Sequence, residues 1–206
     1  MVAARVGDVP GGEKVPALII RKTGKSILFN SLLVPVVDDF KYSATPYQFK
    51  LLSNDKITEP IAAYRISSVY SDDLVYYSYN KNIPVKLGPI ETNATMAMVR
   101  MEKGDAAEVF IAKGSVVKGK KWMFEITDFT IDPEPDIGTL QISVRKDNIE
   151  VKNDGDKAVI LNFSKRKVKS LEMFKDGAWV SDEPIEVVKG VFTFIADSGV
   201  KYRLNF

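Results

Sequence analysis

The sequence predicts an all-β chain, a large antiparallel β-sandwich followed by a smaller antiparallel β-meander subdomain, and three observations predict it. Apolar and polar residues alternate with period two in many short runs, which gives each strand one face for a core and one for water. No stretch of ten or more residues carries the 3.6-residue apolar period of a helix. Turn sequences containing Gly or Pro separate the runs, and no repeat of fixed period is present to build a propeller or solenoid. Strands this numerous without helices require two packed sheets or a closed barrel, and doubly apolar strands near the N-terminus favour the sandwich.

The elements follow in chain order. Met1 enters a strand-like segment within a few residues, as a segment cut from a longer chain would. Residues 15–20 and 27–37 are almost continuously apolar, broken by Asn30, Ser31 and Pro35, as expected of strands buried on both faces. Lys22-Thr23-Gly24-Lys25 reads as the turn joining them into a hairpin. Further strands are expected at 47–52, 61–70, 74–79, 95–101, 108–113 and 122–126. Residues 132–138 contain Pro133, Pro135 and three acids, a composition that breaks both ladder and helix. The expected division is therefore a sandwich over 1–131, a linker over 132–138 and a small β subdomain over 139–206. In that subdomain Leu140, Ile142 and Val144 alternate with polar neighbours, as do Ile149 and Val151, then Val200, Tyr202, Leu204 and Phe206. Asp154-Gly155 and Asp176-Gly177 read as hairpin turns, because Gly tolerates positive φ.

Composition bounds the chemistry. The 206 residues include no His and no Cys, which removes the commonest general base, the commonest metal ligand and any disulfide framework. Lys and Arg total 29 against 27 Asp and Glu, so a net charge of +2 supplies no long-range field for nucleic acid, and a polyanion site has to be a local patch. No run of about 18 apolar residues is present to span a membrane. No cofactor is expected. No metal site is expected either: the pairs Asp38-Asp39 and Asp72-Asp73 lack the spaced oxygen ligands of a calcium loop.

The candidate side chains each carry two readings. Tyr64, Tyr70, Tyr76, Tyr77 and Tyr79 cluster in sequence, and a phenol beside Arg65 or Lys81 acts as a base if its pKa falls; aromatic residues also favour half-buried strands. Tyr64 and Arg65 alternate onto opposite faces. Arg21, Lys22 and Lys25 surround a turn and suit a uronate carboxylate or a sulfate, or simply solvent. Lys165, Arg166, Lys167 and Lys169 read as a solvated strand edge protected by charge, with a basic anion site as the alternative. Trp122 and Trp179 suit either a sugar ring or the core. Asn93-Ala94-Thr95 and Asn162-Phe163-Ser164 match the glycosylation triplet, a pattern frequent by chance.

One resemblance adds to this reading. Ala4-Arg5-Val6-Gly7, then Pro16-Ala17-Leu18-Ile19-Ile20-Arg21, then Phe29-Asn30-Ser31-Leu32-Leu33-Val34-Pro35 resemble the start of the C-terminal β-sandwich of heparinase II/III-like polysaccharide lyases, the oligoalginate lyases in particular. Ala97-Met98-Val99-Arg100, Gly104, Phe110-Ile111-Ala112-Lys113-Gly114 and Val117 loosely resemble a later strand pair, so the likeness spans roughly residues 4–126. It implies a β module beside a helical toroid, with a cleft between them for an acidic polysaccharide cleaved by β-elimination. The Pro-His-Gly of that family corresponds here to Pro35-Val36-Val37, and the acid before it to Val34, so polar cleft residues are replaced by apolar ones. The expectation is a non-catalytic or degenerate module, not itself an enzyme. Arg21, Lys22, Lys25, Arg65 and Tyr76 are its candidate substrate contacts, an acidic polysaccharide and the missing helical toroid its candidate partners. The resemblance implies a periplasmic or secreted bacterial protein. The alternative is a β-sandwich protein-interaction or structural module with no glycan ligand.

Overall fold

The computed structural model describes residues 2–8, 14–19, 48–52, 61–67, 71–78, 83–128, 138–184 and 186–206. The chain divides into two compact units, Met1–Asp38 and Asp39–Phe206. In the first, β1 (Val2–Asp8) pairs antiparallel with β2 (Lys14–Ile19), Ala4 opposite Ala17. The predicted strand over 15–20 is largely β2. The predicted 27–37 strand and its turn lie outside the described residues.

The second unit holds two antiparallel sheets. One contains β6 (Val85–Leu87), β7 (Ile90–Thr92), β10 (Val116–Lys118), β11 (Met123–Asp128), β14 (Val159–Ser164), β17 (Glu186–Val188) and β18 (Val191–Ala196), ordered β17-β18-β14-β11-β10-β7-β6. The other contains β3 (Gln48–Leu51), β4 (Ile61–Ser67), β5 (Asp72–Ser78), β8 (Met96–Glu102), β9 (Asp105–Ala112), β12 (Leu140–Val144), β13 (Asn148–Asn153), β15 (Ser170–Lys175), β16 (Ala178–Asp182) and β19 (Lys201–Asn205). Its order is β16-β15-β19-β13-β12-β9-β8-β5-β4-β3. The all-β class is as the sequence predicts.

Period-two alternation decides which side chains meet. Val159, Leu161 and Phe163 of β14 and Phe192, Phe194 and Ala196 of β18 turn inward from one sheet; Ile149 and Val151 of β13 and Tyr202 and Leu204 of β19 turn inward from the other. The two faces touch: the Phe194 and Tyr202 rings are 5.4 Å apart, and the Phe163 and Phe206 rings 5.7 Å apart. This is a sandwich with one apolar cluster running from Leu74 to Leu204. Each fully buried aromatic or branched side chain contributes about 1.5–3 kcal/mol, so the stacked aromatics dominate the core energetics.

Both sheets take strands from before and after residues 129–137. β12 pairs with β9, and β11 pairs with β14, so the boundary expected at 132–138 falls inside the second compact unit, whose ladders cross it. The two Asp-Gly turns also differ. Asp176 and Gly177, at φ 51° and 82°, close the β15–β16 hairpin as expected. Asp154-Gly155 instead carries the chain from β13 in one sheet to β14 in the other. The reason is Asn153: its fully buried side chain accepts the Gly155 N–H and donates to the carbonyls of Lys157 and Ala196, which bends the chain across the core.

Candidate basic cleft

Three turns leave the same end of the sandwich, and each carries adjacent cations. Lys120 and Lys121 lie between β10 and β11, Arg145 and Lys146 between β12 and β13, and Lys165 and Arg166 after β14. Together they line a cleft of about 620 Å³, with Asp105 at the start of β9 as its one carboxylate. Pro89, Ala106, Trp122 and Val144 supply apolar wall. The lining thus carries five positive charges in excess, although the whole chain carries only two, so the remainder is net negative.

Local packing fixes each turn. The Trp122 carbonyl accepts the Gly119 N–H at 2.9 Å, and the indole folds back over the turn, only 5% exposed. A Cβ on Gly119 would stand 2.4 Å from that ring, so only glycine permits the fold-back that leaves Lys120 and Lys121 in solvent. Arg145 Nη2 lies 3.8 Å from Glu108 Oε1. Arg166 donates from Nη2 to the Lys146 carbonyl at 2.6 Å and lies 3.7 Å over the Phe206 ring. Lys165 has a φ of 72°, the left-handed conformation that reverses the chain at the end of β14.

Several cations elsewhere are matched to carboxylates. The solvent face of the ten-stranded sheet is laid with cross-strand pairs: Arg100 with Asp73 and Glu108, Arg203 with Glu150 and Glu172, Lys201 with Glu150. In the other sheet Lys118 meets Glu91. Among the described residues, no carboxylate lies within ion-pair distance of Lys120, Lys121, Lys146 or Lys165. Four ammonium groups without a carboxylate partner line one concavity, an arrangement that suits an anionic ligand. Lysine supplies mobile point charges there, suited to several anionic groups along a polymer more than to one planar carboxylate.

The residues singled out from sequence fall elsewhere. Arg21, Lys22 and Lys25 lie outside the described residues, as do Tyr70, Tyr79, Lys81 and Asp38-Asp39. Arg65 grips Asp72 through Nε at 2.7 Å and Nη2 at 2.5 Å, and this pairing holds the Asp72 carboxyl below its ordinary range. Tyr76 stands opposite Ala63, one diagonal step from Arg65 on the same face, but its ring is a fully buried member of the core. Burial pushes the phenols of both Tyr64 and Tyr76 up, the reverse of what a base needs. Asp72 and Asp73 alternate to opposite faces and are taken by Arg65 and Arg100, so they do not converge on a cation. Among the described residues no group of three or more acids could hold a metal.

The other motifs also have structural employment. Asn93 accepts the N–H groups of Ser115 and Val116, and Asn162 accepts the Thr193 hydroxyl, so both glycosylation-type asparagines hold neighbouring strands. Trp179 lies beneath the Arg203 guanidinium with Phe174 edge-on at 5.2 Å. No family model matches the sequence, and no curated protein matches it either. Of the basic cluster, sequence reading had singled out Lys165 and Arg166 but not Lys120, Lys121, Arg145 or Lys146. The available signal was three adjacent-cation pairs, each in a turn between strands.

Proposed function

We propose that this chain is a non-catalytic or degenerate β module of a heparinase II/III-like polysaccharide lyase, and that its basic cleft supports or extends the binding surface for an acidic, uronate-containing polysaccharide. One observation carries the reading: six cations from three turns surround one cleft, and only Arg145 among them has a carboxylate partner among the described residues. A polymer with an anionic group on successive sugars presents the repeated charge that such a rim attracts. Single-stranded nucleic acid is less well served, because it gains from exposed aromatic rings and the Trp122 indole in the cleft wall is buried. The periplasmic or secreted location belongs to the same proposal.

The test is equilibrium binding of the purified chain to alginate, heparan sulfate and hyaluronan, with a mixed DNA oligonucleotide as competitor. Binding to at least one polymer is expected to weaken with added salt, and Lys120→Gln with Lys121→Gln to cost about three- to fivefold per lysine, the scale of exposed ion pairs. No double-bond absorbance is expected to appear in the near ultraviolet. Equal affinity of the double variant, or tighter binding to DNA than to every glycan, sinks the proposal.

A protein-interaction module with no glycan ligand is the second reading. Val180 on β16 and Val187 on β17 are exposed at the edges of the two sheets, 39% and 61% accessible, although they lie on the inward-turned faces of their strands. A stable oligomer in light scattering, with no glycan bound, supports that reading instead.

A further inference from the structure

Two of the three basic turns are joined to each other through one residue that carries no side-chain charge and does not line the cleft. Phe206 donates its backbone N–H to the Asp147 carbonyl at 3.0 Å, and its ring supports the Arg166 guanidinium at 3.7 Å. Arg166 in turn donates to the carbonyl of Lys146, the neighbour of Asp147. The Phe206 ring is anchored from below by Phe163, fully buried and stacked on it at an interplanar angle of 27°. The 145–147 turn has one further backbone bond of its own, from the Arg145 N–H to the Asn148 carbonyl at 2.9 Å. Lys169 ties the far side of the 165–169 segment to Asn205, again one residue from Phe206.

We infer that Phe206 is a positioning residue of the basic cleft: it holds Lys146 and Arg166 at a fixed spacing, so that their charges meet a ligand together. The inference rests on the cleft being the ligand site. A guanidinium stacked on an aromatic face keeps its N–H groups in its own plane, so the stack orients the donors that Lys146 does not use. Without the ring, Arg166 keeps its charge but loses its orientation. The turn carrying Lys146 then loses its Arg166 tie and is left with the backbone bond from residue 206 to the Asp147 carbonyl.

The experiment uses the whole chain and two readouts. In the free protein, 15N relaxation at Lys146 and Asp147 is expected to show a drop in order parameter from about 0.85 toward about 0.6 in Phe206→Leu, and no drop in Phe206→Trp. With a fluorescein-labelled alginate oligomer as probe, Phe206→Leu is expected to weaken binding about three- to fivefold, while Phe206→Trp restores affinity to within about twofold. Leu161→Ala, a core change that touches neither turn, serves as the stability control. Unchanged turn order in Phe206→Leu overturns the inference, and so does an equal loss of affinity in Leu161→Ala. If the wild-type chain binds no alginate while Phe206→Leu still loosens the turn, the positioning role stands and the ligand reading falls.

Discussion

Tyr202 lies between the two sheets with 1% of its surface exposed, its ring against Phe194 and its hydroxyl accepting the Asp197 N–H at 3.2 Å. Burial is the main cause that pushes its phenol from 10.0 up to about 12; the Asp197 backbone bond opposes the shift, and the Asp197 and Asp182 charges add to it. Below pH 10 the group is protonated whether folded or unfolded and has no effect on stability. Between pH 10 and about 12 the unfolded chain ionises first, so folding weakens as pH rises, by on the order of 2 kcal/mol at the upper end. Urea titrations from pH 9 to 12 are expected to show a shallower loss in Tyr202→Phe than in the wild type. Single residues were unevenly legible: alternation placed Leu140, Ile142, Val151 and Leu204 in the core, as found. It also marked Tyr64 and Arg65 as facing apart. What it did not place was Tyr76, whose polar hydroxyl looks functional in a sequence but whose ring sits opposite Ala63, where the core has room for it.

Several strands of six to eight residues were legible as elements because they repeat the two-residue period often enough to be seen, as in β5, β8 and β9. The three-residue strands β6, β7 and β10 were not, since one and a half periods carry no pattern. Yet these short strands frame the cleft: the turn between β6 and β7 contributes Pro89, and the one after β10 contributes Lys120 and Lys121. Turn type was legible only where backbone geometry alone decides it. Gly177 at φ 82° follows Asp176 at 51°, so Gly177→Val is expected to destabilise by about 1–2 kcal/mol, read as a lower urea midpoint with an unchanged slope. Gly155, by contrast, is governed by the Asn153 side chain and a carbonyl from β18, partners that only the folded chain brings together.

For the molecule as a whole, a small net charge conceals a strong separation of charge. The reading that any polyanion site must be local is compatible with the arrangement, but its location was not legible, because cations 46 residues apart, from Lys120 to Arg166, converge only through the strand order. The chain is therefore expected to be retained on a cation-exchange resin at pH 7.5 more strongly than its +2 charge requires. Changing Lys120, Lys121, Lys146 and Lys165 to Gln is expected to abolish that excess, whereas four Lys→Gln changes at Lys86, Lys157, Lys175 and Lys189, with the same net charge, leave much of it.

The position of β19 in its sheet bears on how the chain is made. β19 follows β15 and β16 in sequence but lies between β15 and β13 in the ladder. During synthesis the β15–β16 hairpin emerges first and has no edge to join until β19 leaves the ribosome and supplies both of its own edges at once. The same segment delivers Phe206 to the two basic turns. Closure of the sheet and the bracing of the two basic turns thus depend on one segment, β19 and the residue after it.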